Sequence, residues 1–401
     1  MLIGGLNSGT SMDGIVFTLV EVEEVSKNND SSRPDLNVKL IGMQEIPYPD
    51  GIKEELLRFE ESKIVQELCN FHFYLGEIFA QSAIKAMKIL GQDLDKVTII
   101  GSHGQTIGHF PNGLKGYKFS TPSTNQIGEQ DIVAARTGIT TVGDFHCKDI
   151  ALGGEAAPDT YMEYCLFRHK DLNRGVLNLG GIANITYLPH DVGFDSLRAF
   201  DTGPANMIID ALIEITSCGK VSYDEDGRVA SRGKVNQPLL KWMMSHPFIG
   251  KKPPKSTGRE EFGRHFAQEI FNRGRDAKLS AEDLIATATC FTIESIAFNI
   301  KNFLPPMDEL ILSGGGAKNK TIVKGLSESL REIKVTTTEE YNIPVEARES
   351  IGFALMAYET LKGRTTWPSS VTGAKRDSIA GKISLIFGKT AELFKNLKNQ
   401  P

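Results

Sequence analysis

With 401 residues, 40% of them hydrophobic and 24% charged, the chain has an ordinary globular composition and the length of two domains rather than one core. A formal net charge of −5 with no Lys/Arg block argues against nucleic acid as a partner. No apolar run reads as the ~20 residues that span a bilayer, and no charged leader precedes an apolar core, so membrane insertion and secretion are not expected.

The five cysteines are scattered and odd in number, without zinc-site or redox spacing, which points to reduced thiols and a cytoplasmic location. Cys147 reads as a small buried residue rather than a nucleophile, because only Lys148 and His146 stand near it in sequence as activators.

In chain order, Leu2-Ile3 and the run from Ile15 to Val22 predict two strands around a tight turn. The turn holds Ser8, Gly9, Thr10, Ser11, Met12, Asp13 and Gly14. Hydroxyls and amide hydrogens there suit phosphate oxygens, and Asp13 suits magnesium. An ordinary polar hairpin turn is the competing reading. Ser26 to Pro34 reads as an exposed loop, Val38 to Ile46 as a third strand, and Gln66 to Leu90 as a helix with one buried stripe. Val97 to Ile100 predicts a strand whose carboxyl end carries Ser102, His103, Gln105 and Thr106, a place where open α/β sheets bind ligands. Gln126 to Arg136 has helical spacing, and Ile139 to Val142 predicts another strand.

That strand leads to Gly143-Asp144-Phe145-His146-Cys147-Lys148-Asp149, followed by Gly153, Gly154 and Glu155. Two carboxylates beside a glycine turn could bind a sugar, with one as general base; alternatively Asp149 caps a helix beginning near Ala151. A second strand-turn-strand from Val176 to Leu188, with Asn178, Gly180, Gly181 and Asn184, echoes the first and suggests an internal duplication. Asp201-Thr202-Gly203 reads as a turn at a helix start, able to offer a carboxylate to magnesium and amides to phosphate. From Gly219 to Gly263 the chain is polar, and Asp224 to Gly227 reads as an exposed turn. Ala281 to Phe303 is a long helix; Glu309 to Leu312 is a buried strand running into Gly314-Gly315-Gly316 and Asn319, where a base and ribose could lie against the backbone.

Taken in order, the motifs Ser8 to Ile15, Ser102 to Thr106, Gly143 to Pro158, Asn178 to Asn184, Asp201 to Asn206, Pro253 to Glu260, Ser313 to Asn319, Glu349 to Ala354 and Val371 to Ala374 resemble the anhydro-sugar kinases. These are anhydro-N-acetylmuramic acid kinase and its fungal relative, levoglucosan kinase. The resemblance implies an α/β protein with two related domains of the actin-like ATPase (ribonuclease H-like) fold and an interdomain nucleotide cleft. The expected division is 1–143 completed by 364–401, with 144–363 as the second domain.

The same resemblance implies ATP and Mg2+ as cofactors, an anhydro sugar as substrate, and a homodimer. Ser8 to Ile15 would cradle the phosphates, completed by Asn178, Gly180, Gly181, Asn184 and Gly203, while Gly314, Gly315, Gly316 and Asn319 would hold the adenosine. Asp13, Asp201 and Glu349 would serve the metal. His103, Gln105, Thr106, Asp144, His146, Gly153, Gly154 and Glu155 would face the sugar, with Asp149 as catalytic base. Bacterial members usually read Asp-Phe-Arg at Asp144-Phe145-His146, and Gly-Gln-Gly-Ala-Pro-Leu where this chain reads Gly154-Glu155-Ala156-Ala157-Pro158-Asp159. Both departures fall in the sugar segment. They keep open an ordinary hexose or amino-sugar kinase and a nucleotide-binding paralogue of reduced activity.

Overall fold

The computed structural model describes residues 1–9, 12–25, 34–61, 65–155, 159–190, 194 and 197–386. The chain divides into two compact units, one of Met1–Leu166, Gly193–Asp195 and Glu346–Pro401, the other of Phe167–Val192 and Ser196–Val345. Chain contacts thus keep the segment from Asp144 to Leu166, and the helix Arg348–Lys362, in the first unit rather than the second.

The strands are β1 (Leu2–Asn7), β2 (Gly14–Val25), β3 (Asp35–Pro47), β4 (Ile99–Ser102), β5 (Gln105–Phe110), β6 (Ser123–Ile127), β7 (Thr141–Gly143), β8 (Arg174–Leu179), β9 (Ile182–Leu188), β10 (Arg198–Pro204), β11 (Glu309–Ser313), β12 (Lys334–Thr337) and β13 (Lys382–Ser384). The first unit's sheet runs β13-β7-β4-β1-β2-β3 and the second's β10-β9-β8-β11-β12. In the first, β1, β2 and β3 form an antiparallel meander, while β4 and then β7 add in parallel. The second repeats this order: β8, β9 and β10 are the meander, and β11 and then β12 add in parallel. The echo between the two hairpins is therefore a repeated sheet topology, consistent with an internal duplication. The parallel strands β1, β4 and β7 bring their carboxyl ends to one edge, where the polar motifs begin.

Helix Arg348–Lys362 lies directly on the first sheet because two strand residues have no side chain. A Cβ at Gly5 would stand 1.9 Å from Ser350 O, and one at Gly101 would stand 2.1 Å from Phe353 O. On the same unit's core, helix Val65–Ile89 buries Phe71, Leu75, Ile78, Phe79, Ala83 and Ala86, the predicted stripe. In the second unit, helices Asn206–Ser217 and Ala281–Phe303 supply Ile208, Leu212, Leu284, Phe291 and Ile296 to the core beside Leu177 and Ile185.

Several expectations need correction. Helix Ala281–Phe303 does have the length and composition to cross a membrane, but 78% of that window is buried inside the protein, as befits a core helix. Asp201-Thr202-Gly203 lies within strand β10, with an irregularity between Asp201 and Gly203, and the helix starts only at Asn206. The polar segment contains helices Gln237–Met244 and Pro247–Gly250, which bury Leu239, Leu240, Met243, Phe248 and Ile249. Asp224 is itself buried, accepting hydrogen bonds from the backbone N–H groups of Val229 and Ala230. Asp149 does not cap a helix near Ala151; it sits inside helix Cys147–Ala151, with His146 at the N-cap. Most of the Ser26 to Pro34 loop and Ala156-Ala157-Pro158 lie outside the described residues.

The backbone approach at Gly101 yields a direct prediction. Gly101→Ala should destabilise the protein by about 1–3 kcal/mol, since either the sheet or the helix must move to admit the methyl. Urea denaturation checks this; a change below ~0.5 kcal/mol, the range of neutral surface substitutions, would mean the helix shifts without resistance.

Candidate active site

The carboxyl edge of the first sheet is tied together by buried polar contacts. Asn7 Nδ2 donates to Glu349 Oε2 at 2.6 Å, and Ser8 Oγ donates to Gln105 Oε1 at 2.6 Å. Asn7, Ser8 and Gln105 are all buried, so these bonds tie the end of β1 to the helix carrying Glu349 and the start of the turn to the start of β5. Gly9 has open space where a side chain would project. Thr10 and Ser11 lie outside the described residues.

Beyond them, Met12 and Ile15 are buried in the unit's apolar core, which leaves only their backbone for any ligand. Met12 takes a left-handed conformation, φ +55°, and its N–H donates to Gly9 O at 3.1 Å, closing the turn. Gly14 is needed by the fold itself, because a Cβ there would stand 2.5 Å from Ile46 O. Asp13 is exposed and ion-paired with Lys53 at 2.5 Å.

Asn7, Ser8, Gly9, His103, Gln105, Thr106, His146, Glu349 and Phe353 line a cavity of about 220 Å³ within the first unit. His103 stacks on Phe353, with ring centroids 4.3 Å apart. Its Nδ1 lies 3.1 Å from Gly104 O, and its Nε2 lies 2.8 Å from His146 Nε2. Burial pushes His103 down to about 4 and His146 well below the usual imidazole value, so the pair is neutral at neutral pH. Thr106 Oγ1 accepts from Gln126 Nε2 at 3.2 Å on the hairpin of β5 and β6.

Asp149 is fully buried in the same unit. Thr372 Oγ1 donates to its Oδ1 at 2.8 Å, and a Cβ at Gly154 would stand 2.1 Å from its Oδ2. The glycine turn is thus shaped to the carboxylate: Gly153 has φ +87°, and Gly154 N–H donates to Asp149 O at 2.9 Å. The segments on either side are laced together, Glu155 N–H to Thr372 O and Lys375 N–H to Leu152 O, both at 3.0 Å. Glu155 is exposed, and its carbonyl lies 3.2 Å from His109 Nε2. Asp144 stands apart in a left-handed conformation, φ +51°, with Lys382 Nζ donating to it at 2.6 Å. Thr372 was visible in the sequence only as part of the Val371 to Ala374 motif; nothing there marks its hydroxyl as Asp149's partner.

In the second unit, Asn178 and Asn184 are opposite each other across the β8–β9 hairpin that turns at Gly180 and Gly181. Asn206 closes on that turn, its N–H donating to Gly180 O and its Nδ2 to Leu179 O, both at 3.0 Å. Of the three consecutive glycines, Gly314 and Gly316 are demanded by packing: Cβ atoms there would stand 2.5 Å from Asn178 Oδ1 and 2.7 Å from Leu179 Cβ. Gly315 faces open space. Asn319 caps helix Lys320–Ser329, accepting from Thr321 and Ile322 N–H at 3.1 Å. Gly203, with φ +137°, backs onto Ser295, whose Oγ would stand 2.5 Å from a Cβ at that position. Asp201 Oδ2 accepts from Thr257 N–H at 2.8 Å and Ser256 Oγ at 3.1 Å. Lys255, buried behind that loop, donates to Phe248 O and Ile249 O, and desolvation brings it down to about 8.

Among the described residues no three His, Cys, Asp or Glu side chains cluster as a metal-holding group. The carboxylates expected to serve magnesium are each placed separately, Asp13 with Lys53, Glu349 with Asn7, and Asp201 with Ser256 and Thr257. A magnesium ion carried on phosphates needs only one or two carboxylates and water, so the absence of an all-protein cage among the described residues does not conflict with such an ion.

The profile of the family described as anhydro-N-acetylmuramic acid kinase matches residues 1–385. The anhydro-N-acetylmuramic acid kinase of Caldanaerobacter subterraneus subsp. tengcongensis is 37% identical over 390 residues, covering 96% of this chain and 97% of the relative. That of Bacillus cereus (strain G9842) is 40% identical over 393 residues, 96% and 99% of the two chains. That of Clostridioides difficile (strain 630) is 38% identical over 386 residues, 95% and 97%. The chain belongs to the anhydro-N-acetylmuramic acid kinase family.

Proposed function

We propose that this protein is an ATP-dependent anhydro-sugar kinase in which Asp149 is the general base. The reading rests on family membership across nearly the whole chain, together with one observation: the Asp149 carboxylate is held by Thr372 and framed by a residue without a side chain, Gly154. Asp149 would take a proton from water as that water attacks the anomeric carbon of a 1,6-anhydro sugar. The bond from that carbon to the bridging oxygen breaks, and the released 6-oxygen attacks the γ-phosphorus, expelling ADP. The net reaction consumes one water and releases one proton. Its demands on the protein are in-line positioning and neutralisation of phosphate charge.

Each part has a physical rationale. A carboxylate shielded from bulk water is a stronger base toward a single positioned water than one that is freely solvated. Ser8 and Gly9 would hold phosphate oxygens, while Asp13 and Glu349 of the first unit would hold magnesium directly or through water, the ion supplying charge neutralisation. Gly315, the open one of its three, would let the adenosine approach the backbone.

Asp149→Asn keeps the volume and removes the proton acceptor. Turnover, measured as sugar-dependent ADP release, should fall roughly 10²- to 10⁴-fold while nucleotide affinity holds. Near wild-type turnover would move the base elsewhere, first to Asp144. Asp13→Asn should differ in kind, raising KM for magnesium–ATP as well as lowering the rate, which a magnesium titration reads directly.

The neutral histidine pair sets a pH window. The folded-state value of His103, about 4, lies below the unfolded value of 6.5. The unfolded chain therefore binds more protons between these limits, and the pair's contribution, complete above pH 6.5, is lost as pH falls toward 4. The loss should be on the order of 1–3 kcal/mol, and His103→Asn should shrink it in urea titrations at pH 7 and pH 4.5.

A further inference from the structure

Asp149 is fully buried without capping its own helix, Cys147–Ala151, whose N-cap is His146. A buried carboxylate needs donors, and one comes from far along the chain: Thr372 Oγ1 lies 2.8 Å from Asp149 Oδ1. The direction of this bond is fixed. Gly373, at φ +75°, turns the chain back so that Ala374 N–H donates to Thr372 Oγ1 at 3.3 Å. A hydroxyl has one hydrogen, and with its oxygen accepting from Ala374 that hydrogen is left for Asp149.

Docking of the two segments does not need the hydroxyl. Main-chain bonds supply it, Glu155 N–H to Thr372 O and Lys375 N–H to Leu152 O. The charged residues that share these segments, Lys148, Glu155, Lys375 and Arg376, are exposed. Strand β6, which packs on helix Cys147–Ala151, has no charged residue, and burial keeps His146 neutral. The hydroxyl is thus what the 371–376 segment offers to the buried charge.

We propose that Thr372 is a positioning residue for the general base: its hydroxyl fixes the rotation of the Asp149 carboxylate and holds that group in the ionised form that accepts a proton. The inference rests on the reading of Asp149 as base and adds the residue that sets its working state. A donor aimed at a carboxylate favours the charged form, opposing the desolvation that favours the neutral acid. Gly154 constrains the other oxygen by shape alone, since a Cβ there would stand 2.1 Å from Oδ2. Thr372 acts only through Asp149 and makes no contact with substrate in this scheme.

Thr372→Val keeps the size of the side chain and removes the hydroxyl, while Thr372→Ser keeps the hydroxyl. With ATP and 1,6-anhydro-N-acetylmuramic acid, Val should lower kcat about 10- to 100-fold, a share of what a general base is worth, and leave KM for magnesium–ATP within about twofold. The acid limb of its kcat–pH profile should move up by about one pH unit, because losing a hydrogen bond to a charged group favours the protonated acid. Ser should restore the limb, and kcat to within about threefold of wild type. In an Asp149→Asn background, Thr372→Val should cost less than about twofold further, since the group it serves is gone.

The proposal is overturned if Val retains the wild-type kcat and pH limb, if it loses rate equally at every pH, or if Ser is as impaired as Val, the mark of a packing role. Should Val not fold, Thr372→Cys, whose S–H is a weaker donor, takes its place. Its acid limb should lie above that of Ser, and an unmoved limb overturns the idea. Carbon-13 NMR of the Asp149 carboxyl, assigned by its absence in Asp149→Asn, reads the contact without turnover. Its titration midpoint should rise in Val and not in Ser, and equal midpoints in all three proteins also overturn the proposal. Should Asp149→Asn turn over at near wild-type rate, the base reading fails by itself, and this titration still decides whether Thr372 holds the carboxylate ionised.

Discussion

The site in the first unit depends on how closely a helix can approach a sheet. Gly5 on β1 and Gly101 on β4 let the backbone of helix Arg348–Lys362 sit where any side chain would meet Ser350 O or Phe353 O. Three residues on that helix owe their positions to this approach. Glu349 reaches Asn7 at the end of β1, Phe353 stacks under His103 just past β4, and Met356, one turn further on, lines the same cavity. Positions 349, 353 and 356 share one helix face by their spacing of four and three. The helix start is locked by Arg348 Nη1 donating to Glu163 at 3.2 Å, a pair only 3% and 1% exposed. Removing one partner of such a pair strands a buried charge, at a cost of about 3–5 kcal/mol. The cavity is accordingly shaped by elements distant in sequence, and neither the turn at Ser8 nor the strand at Ile99 defines it alone.

The second unit answers the same problem differently. Its parallel neighbour β11 runs into Gly314, whose φ of +75° turns the chain against the end of β8, where Asn178 and Leu179 leave no room for a Cβ. Asn319 then caps the following helix with two backbone bonds. Asp201 is held at β10 by the Ser256 and Thr257 donors, on a loop secured by Lys255, whose ammonium sits on two helix-end carbonyls and over the Phe248 ring at 4.6 Å. A buried lysine brought down to about 8 is tolerable there because those carbonyls face its charge.

What the sequence made legible follows from which signals are local. The second hairpin, helix Val65–Ile89 and helix Ala281–Phe303 emerged within a residue or two, since their apolar periodicity is strong, whereas the first hairpin was found with its strands read three or four residues short at their carboxyl ends. Strand β10 was hidden because it buries polar residues whose partners are remote: Thr202 Oγ1 donates to Ala183 O, and Thr202 O accepts from Ser295 and Asn299. The β5–β6 hairpin was hidden for another reason, a polar strand pair joined by a long connection without a tight-turn signal. At the site, His103 and Gln105 were legible as residues at a strand's carboxyl end, and Glu349 only through the resemblance. The Thr372 hydroxyl on Asp149 was not, because it comes from 223 positions away and no local pattern encodes that pairing.

The glycines show why composition alone misjudges such a site. The same residue type does two jobs, and only space around the missing Cβ separates them. Gly5, Gly14, Gly101, Gly154, Gly314 and Gly316 are filled by protein atoms, so their lack of a side chain is consumed by the fold or by the Asp149 carboxylate. Gly9 and Gly315, like several surface glycines, have nothing within 4 Å of a built Cβ, so no packing demands their lack of a side chain. Each follows a central strand of its own sheet, Gly9 after β1 and Gly315 after β11, at the carboxyl end where an α/β sheet offers backbone to a ligand. A packing glycine replaced by alanine should damage stability first, whereas an open one has no stability cost from contact and can damage only what binds.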